Sequence, residues 1–503
     1  MRNTTPVFYV SLVIAILFIG WGVIPESVLP QFHLAKVSGD VQSFLVHKFG
    51  WFYLLAATAF LIFCFVMIFS KYGNIRLGAD DEKPEYRYRT WFGMLFSAGM
   101  GIGLVFWGVA EPMYHFYSPP VGEAETAEAA RVAMRYAFFH WGLHPWAIYA
   151  VVALALAYFQ FRKKEPGVIS RVLRPVLGER VNGLTGIAVD TLAVYATIFG
   201  VATSLGLGAI QISGGLSHLS PSIPNSFATQ LVVIIVVTVL FMLSAQTGLN
   251  KGIKILSDTN VMLAVLLMLF LLFAGPTNFI MDVFTATVGS YIQNLPSMSL
   301  RLSPFEQSEW PRVWTIFYWA WWIAWAPFVG SFIARVSRGR TIREFMIGVL
   351  LVPTIFSALW FSVFGGSALY LEMFEGADIM ETMNESGIEM ALFSVFKHFP
   401  LSTILSGLAI LLICTFFVTS ADSATFVLGM QTTNGSLNPS NSVKLTWGII
   451  QSATATILLW TGGLQALQTA SIIAAFPFTF IMILMILSLL RSFKQETFIM
   501  KKK

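Results

Sequence analysis

Runs of about twenty consecutive apolar residues recur along the whole chain, and an α-helix needs this length to cross the hydrocarbon core of a bilayer. Inside lipid, backbone amides must find partners within their own segment, which helices provide. The composition agrees, because 56% of the 503 residues are hydrophobic and only 11% are charged. The surface of a soluble protein of this size carries more charge. The sequence therefore predicts an all-α polytopic membrane protein.

We count about twelve spans from the hydropathy pattern. The first run is long enough to span and lacks a clear small-residue cleavage site, so we interpret it as a span rather than a signal peptide. The segment 276–311 instead has apolar residues at helical spacing, which predicts a short amphipathic helix on the outer surface. The spans are expected near 7–28, 51–70, 92–117, 137–160, 187–212, 229–246, 256–275, 312–334, 345–370, 402–429, 444–461 and 466–490.

Charges in the connecting segments support this count independently. Basic residues cluster after spans two, four, six, eight and twelve, which are alternate loops, whereas the opposite loops are acidic or neutral. Cytoplasmic loops carry the excess of Lys and Arg, so both termini are predicted to be cytoplasmic. The net charge of +5 then reflects membrane topology rather than a nucleic-acid surface. The basic loops are exemplified by Arg76, Arg162, Lys251, Arg338 and Arg491.

Several function classes have no counterpart in the sequence. No phosphate loop or dinucleotide fingerprint follows a strand pattern, which argues against an ATP-driven pump. Cys64 and Cys414 lie in apolar runs without metal-ligand companions, and they are expected to be small buried hydrophobic residues. No nucleophile–base or metal constellation indicates an enzyme, and no cofactor is expected. A secondary transporter and a membrane receptor or osmosensor that binds without transport stay open.

Helix-breaking residues occur in two spans that lie five spans apart. Span three contains Gly99, Gly101 and Gly103, and span eight contains Pro327 and Gly330. Interrupted helices at corresponding positions of two halves are typical of a transporter site between inverted repeats. Ordinary helix packing through small residues is the alternative interpretation.

Aromatic residues form the most distinctive pattern. Tryptophan in membrane proteins usually lies at the two interfaces, but here many lie within predicted spans. Two one-sided clusters follow from about 100° per residue: Trp321, Trp322 and Trp325 in span eight, and Trp141, Trp146 and Tyr149 in span four. Two such faces could form a cage for a methylated ammonium group, which ring faces attract without any N–H to bond. An aromatic packing core or interface belt explains the pattern equally well.

Three segments resemble signatures of the betaine/choline/carnitine transporter family. The first is Trp-Thr-Ile-Phe-Tyr-Trp-Ala-Trp-Trp-Ile-Ala-Trp-Ala-Pro-Phe at 314–328, which is highly specific. The others are Gly-Met-Gly-Ile-Gly at 99–103 and Phe-Phe-Val-Thr-Ser-Ala-Asp-Ser at 416–423. The resemblance covers essentially the whole chain in the family's order and is strongest to its bacterial glycine betaine transporters.

The resemblance implies an amino-acid/sodium symporter-like fold of two inverted five-helix repeats, assembled as a homotrimer in the bacterial plasma membrane. The implied organisation is two N-terminal helices and a loop over 1–91, a first repeat over 92–275, an outer helix and loop over 276–311, a second repeat over 312–490, and a basic tail over 491–503. The implied function is import of glycine betaine with sodium for osmoprotection. Choline, carnitine or another betaine is the alternative substrate, with proton coupling or exchange as the alternative mechanism.

The resemblance also assigns residues to the substrate. Four rings match the family's central aromatic box around the trimethylammonium group, and Trp321 and Trp325 match flanking positions on the substrate path. The segment Gly99, Met100, Gly101 and Gly103 would present backbone N–H groups to the carboxylate. Choline-transporting relatives tend to carry Asp where this chain has Gly103, so glycine favours a zwitterion. The aromatic box consists of Trp141, Trp146, Tyr149 and Trp322.

Sodium residues follow from the same resemblance. The main site would use Ser97, Met100 and Phe416 through their carbonyls, and Thr419 and Ser420 through their hydroxyls. Hydroxyls in a span also bond to the preceding helical turn, which is the alternative role for these two side chains. Span five contains no Arg or Lys, unlike the family's sodium-independent exchangers.

A second sodium site is incomplete. Thr197 and Phe328 match it, but Val201 replaces a threonine and offers no oxygen. Charged residues inside spans are functional candidates by default, and Glu111 and Asp422 are two. For both, a buried structural role is the favoured alternative.

Overall fold

The computed structural model describes residues 4–99, 101–247 and 250–502. Within these residues the secondary structure is helical, and the one β-bridge pairs Arg76 with Thr341. The helices are α1 Pro6–Val23, α2 Leu34–Phe69, α3 Tyr88–Gly99, α4 Ile102–Tyr117, α5 Ala127–Trp141, α6 Leu143–Ala157, α7 Ile169–Val172, α8 Arg174–Leu177, α9 Leu184–Leu219, α10 Phe227–Thr247, α11 Asn250–Ala274, α12 Thr277–Ser299, α13 Phe317–Val336, α14 Ile342–Tyr370, α15 Ile379–Ser386, α16 Ala391–Phe396, α17 Ser402–Gln431 and α18 Asn441–Lys502.

The predicted polytopic all-α fold is confirmed. In the described part of the chain, ten helical segments are long and apolar enough to cross a membrane. The pair α3 and α4 adds a span that is divided into two short helices. Helix α18 contains two spans, because Gly462 and Gly463 have non-helical backbone angles in its middle. The total is the twelve spans expected from hydropathy.

Loops with basic residues meet at one end of the molecule, as the charge pattern requires. The loop after α2 pairs with the loop after α13 through backbone bonds of Leu77 with Gly339 and Arg340, each 2.8 Å long. Arg162, which follows α6, bonds to Asp80 and to Glu496 of α18. At the other end, Trp310 donates to the carbonyl of Ser118 at 3.0 Å. Alternate loops therefore share a side.

Of the two interpretations of Pro327 and Gly330, an interruption of span eight is not found. Helix α13 continues through Pro327 and includes Gly330, because transmembrane helices tolerate the one backbone bond that proline removes. Gly330 serves close packing instead: a Cβ there would lie 2.8 Å from Val152 Cγ1 on α6. The small-residue interpretation therefore holds for this position.

The segment 276–311 forms the predicted helix, α12, which is longer than expected at 23 residues. It is absent from the candidate membrane spans among the described residues. Its apolar residues Val283, Phe284 and Val288 pack against the core, whereas Ile292 is exposed. Helix α12 lies against α5 and α14, which places it beside the elements that carry the aromatic residues.

Candidate functional site

Span three is interrupted where the glycine segment predicted it. Helix α3 ends at Gly99, and α4 begins at Ile102 after Gly101, whose backbone is extended. Met100 lies outside the described residues. The first turn of α4 therefore begins with amide N–H groups that have no partner within the helix. A helix start of this kind favours negative charge.

Span four is also interrupted, which the sequence analysis missed. Helix α5 ends at Trp141, Gly142 departs from helical angles, and α6 begins at Leu143. The amide of Leu143 donates to the hydroxyl of Tyr291 on α12 at 3.1 Å. A Cβ at Gly142 would lie 2.4 Å from the carbonyl of Phe138, so only glycine fits there. The combination of Gly142 and Pro145 was the available signal.

The four rings of the aromatic box lie together. Trp322 packs edge to face against Trp141, with ring centroids 4.9 Å apart, and against Tyr149 at 6.0 Å. Trp146 packs against Tyr149 at 5.4 Å. The indole N–H of Trp322 donates to the carbonyl of His140 at 3.0 Å, which fixes the ring. All four side chains are buried.

The flanking tryptophans complete the same enclosure. Trp321 stacks on Trp322 at 4.9 Å, with 17° between the ring planes, and Trp325 donates to the carbonyl of Gly200. The rings and the start of α4 enclose a cavity of about 40 Å³, the cage cavity. Its described lining residues are uncharged: Gly101, Ile102, Gly103, Leu104, Trp141, Pro145, Trp146, Tyr149, Ser204, Trp321, Trp322, Trp325 and Ser357.

Glu111 lies behind the aromatic box rather than in the cage cavity. Its carboxylate accepts hydrogen bonds from His140 Nδ1 at 2.7 Å and from Trp141 Nε1 at 2.8 Å. Side-chain atoms of Glu111, His115 and His140 lie within 4.8 Å of one another, as metal ligands do. The pairwise distances of 2.7 and 3.2 Å are hydrogen-bond distances between the side chains themselves, so the cluster is explained without a metal.

A second, larger cavity of about 620 Å³ adjoins the cage and opens toward the basic end of the molecule. Trp325 lines both cavities and therefore separates them. Four residues that were predicted to bind sodium, Ser97, Phe416, Thr419 and Ser420, line the larger cavity, as does Asp422.

The hydroxyl of Thr419 is engaged within its own helix. It donates to the carbonyls of Thr415 and Phe416 at 3.0 and 3.2 Å and accepts from Asn260 Nδ2 at 3.1 Å. This is the local bonding to the preceding turn that was the alternative role. Ser97 bonds to Ser257 at 3.3 Å.

The residues predicted for a second sodium site lie in different surroundings. Thr197 is fully buried, and its hydroxyl donates to the carbonyl of Ala193 at 2.9 Å. Phe328 lines the larger cavity and packs against Trp325 at 5.4 Å. Val201 is also fully buried.

Sequence reasoning missed the two hydroxyls of the cage cavity. Ser204 comes from α9 and Ser357 from α14, and both side chains are buried. A single serine in an apolar run carries no periodic signal, so only the packing of α9 and α14 against α4 shows where these residues lie.

Comparison with known proteins agrees with the geometry. The family model described as "BCCT, betaine/carnitine/choline family transporter" matches residues 6–498. The chain is 57% identical to the glycine betaine transporter OpuD of Bacillus subtilis (strain 168), over 100% of this chain and 97% of that protein. It is 49% identical to the ectoine/hydroxyectoine transporter of Virgibacillus pantothenticus, over 97% of this chain and 96% of that protein. It is 40% identical to the osmo-dependent choline transporter BetT2 of Acinetobacter baylyi, over 99% of this chain and 72% of that protein. This chain is a multi-pass membrane protein that belongs to the betaine/carnitine/choline family of transporters.

Proposed function

We propose that this chain imports glycine betaine by secondary active transport, as a compatible solute for osmoprotection. The observation that carries the proposal is the aromatic box in an uncharged cavity, since ring faces attract a quaternary ammonium group that can donate no hydrogen bond. The 57% identity to a glycine betaine transporter over the full length supports the same substrate.

The other end of the substrate is accounted for by α4. Its first turn borders the cage cavity at Ile102 and Gly103, and helix N-termini bind carboxylates through backbone N–H groups and the helix dipole. A zwitterion brings no net charge into the membrane interior, so it suits a cavity without charged lining residues. Choline lacks the carboxylate and would leave this helix end without its anion.

Competition for binding tests the substrate assignment. Labelled glycine betaine is bound to purified protein and displaced with unlabelled glycine betaine, choline, carnitine or ectoine. The proposal expects glycine betaine to compete best and choline to be at least about tenfold weaker, equivalent to ~1.4 kcal/mol. Stronger displacement by ectoine or choline would assign the site to that compound instead.

Sodium is the coupling ion in this proposal. Sodium is a hard cation that prefers oxygen ligands, and Ser97, Phe416, Thr419 and Ser420 bring hydroxyl and carbonyl oxygens to one cavity. The buried side-chain oxygen of Asn260 has no hydrogen-bond partner and lies beside Thr419. These donors fit a monovalent hard cation. Val201 leaves the second site without one of its two side-chain hydroxyls, so the proposal includes one sodium site.

A matched pair of threonine variants tests the coupling site. Thr419→Ala removes a hydroxyl that lines the larger cavity, whereas Thr415→Ala removes one that bonds only to Leu411 and Leu412 of its own helix. We expect Thr419→Ala to raise the sodium concentration for half-maximal uptake by about tenfold and Thr415→Ala to leave it near wild type. Equal effects of both variants would contradict the assignment.

The proposed assembly is a homotrimer in the bacterial plasma membrane, surrounded by lipid, with both termini in the cytoplasm. The two repeats at 92–275 and 312–490 would form the transporting unit around the cage, with 1–91 and α12 outside them. In this orientation the larger cavity faces the cytoplasm, so the Trp325 ring would lie between the bound substrate and the path by which it leaves to the cytoplasm.

A further inference from the structure

The carboxylate of Glu111 is fully buried on α4, one indole away from the cage cavity. Four donors converge on its two oxygens. They are His115 Nε2 at 3.2 Å and His140 Nδ1 at 2.7 Å on Oε1, and Trp141 Nε1 at 2.8 Å and Tyr318 OH at 2.5 Å on Oε2. A carboxylate has about four lone-pair sites, so this one is fully coordinated by hydrogen bonds.

The hydrogen-bond donors around Glu111 indicate that its carboxylate is ionised. An indole N–H can only donate, so Trp141 requires an acceptor at Oε2. His140 donates from Nδ1 and can accept from the hydroxyl of Thr315 at Nε2, 3.0 Å away. His115 Nδ1 is buried without a partner, so a second proton on this ring would be unsatisfied. Neutral imidazoles around an ionised carboxylate satisfy every donor in the cluster.

No cationic side chain neutralises this charge in the described part of the chain. The ion pairs found for Glu111 are those with His115 and His140, and neither lysine nor arginine reaches it. An ionised carboxylate in a membrane interior is costly and is retained where it has a function. The Trp141 ring, which bonds to Glu111 through its indole N–H, also lines the cage cavity.

We infer that the buried charge of Glu111 strengthens binding of the substrate's ammonium group, and that it acts through the ring of Trp141. A hydrogen bond from the indole N–H to a charged carboxylate raises the electron density of the ring. A more electron-rich ring face attracts a cation more strongly. The bond from Trp141 Nε1 joins the carboxylate to the aromatic box directly, so Glu111 is a positioning residue for Trp141. This inference rests on the proposed function.

The test compares glycine betaine with its carbon isostere, 3,3-dimethylbutanoate, in which a tert-butyl group replaces the trimethylammonium group. Both compounds have the same shape and carboxylate, but only one has the positive charge. Inhibition constants for both are measured against labelled glycine betaine on purified wild type, Glu111→Gln and Glu111→Asp. The inhibition constant of the isostere divided by that of glycine betaine gives the affinity advantage that the positive charge of the head group provides.

We expect Glu111→Gln to weaken glycine betaine by about tenfold while the isostere binds as well as, or better than, it does to wild type. Glu111→Asp keeps the charge and should recover most of the wild-type ratio. Equal weakening of both compounds would show that Glu111 only holds Trp141 in place and would overturn the inference. Failure of wild type itself to bind glycine betaine would instead refute the proposed function.

Tyr318→Phe answers the same question if Glu111→Gln does not fold. It removes one donor while the carboxylate keeps its charge and its bond to Trp141. The affinity advantage of glycine betaine over the isostere is then expected to rise, because the bond to Trp141 takes a larger share of the carboxylate charge. An unchanged or smaller advantage would overturn the inference.

Discussion

Gly103 is the tightest point of the cage cavity. A Cβ at this position would lie 2.5 Å from Trp321 Cη2 and 3.1 Å from Trp141 Cη2. Ordinary contact begins at 3.4 Å, so a methyl group in Gly103→Ala would force the Trp321 ring back by about 0.9 Å, the difference from 2.5 Å. Trp321 cannot retreat freely, because it stacks on Phe317 with 14° between ring planes and centroids 5.7 Å apart.

The expected magnitude follows from overpacking. Adding a methyl group to a well-packed site costs about 1–3 kcal/mol, which corresponds to roughly 5- to 150-fold weaker binding. The same clash also lowers the free energy of unfolding, and this loss is offset in part by the about 0.4–1 kcal/mol that alanine gains over glycine in a helical turn where the backbone allows it. Gly103→Ala is therefore expected to weaken substrate binding and to lower thermal stability only partly in parallel.

The assay is glycine betaine binding to purified protein, with a thermal denaturation curve for each sample. Gly93→Ala on α3 is the matched control, because a Cβ there meets no atom within 4 Å and the residue is exposed. Wild-type affinity in Gly103→Ala would refute the claim that substrate occupies the space between Trp321 and Trp141.

Further expectations concern the support of the cage and the two ends of the molecule. Tyr291→Phe removes the hydroxyl that accepts from Leu143 and should lower the free energy of unfolding by about 1–3 kcal/mol, measured as a lower Tm, together with weaker betaine binding. Burial raises the pKa of the Glu389 carboxyl, so wild type should lose stability as pH rises above the unfolded value of about 4.3 and through the folded one. Glu389→Gln should remove that loss, so the Tm of this variant minus that of wild type should grow from pH 4 to pH 7. A Tm difference that stays constant over this range would contradict the prediction. Glu496→Gln weakens the bonds to Arg162 and should loosen the end of α18, which limited proteolysis would detect.

Much of the fold follows from the sequence, because hydropathy and loop charge are independent signals of the same spans. The turn at Gly462 and Gly463 separates the last two spans as expected. Sequence reasoning failed where backbone geometry depends on neighbours. Pro327 does not interrupt α13, whereas Gly142 divides span four, since Tyr291 from a distant helix satisfies the freed amide.

Helical periodicity predicted one-sided clusters, but in span four Trp141 lies on α5, whereas Trp146 and Tyr149 lie on α6, across the interruption at Gly142. That α5, α6 and α13 bring their rings to one cavity depends on tertiary packing, for which only the family resemblance gave an indication. Ser204 and Ser357 had no signal of their own. The sequence marked Glu111 as a charge inside a span, but its bond to Trp141 joins two different spans and so could not be read from spacing.

The most direct measurement is uptake of labelled glycine betaine by proteoliposomes that contain the purified protein, with an inward sodium gradient and a matched potassium gradient as the control. The account predicts accumulation with sodium, little with potassium, and loss of uptake in Trp322→Ala. Equal uptake in both gradients would contradict sodium coupling, and no uptake in either would contradict the assignment of glycine betaine as the transported compound.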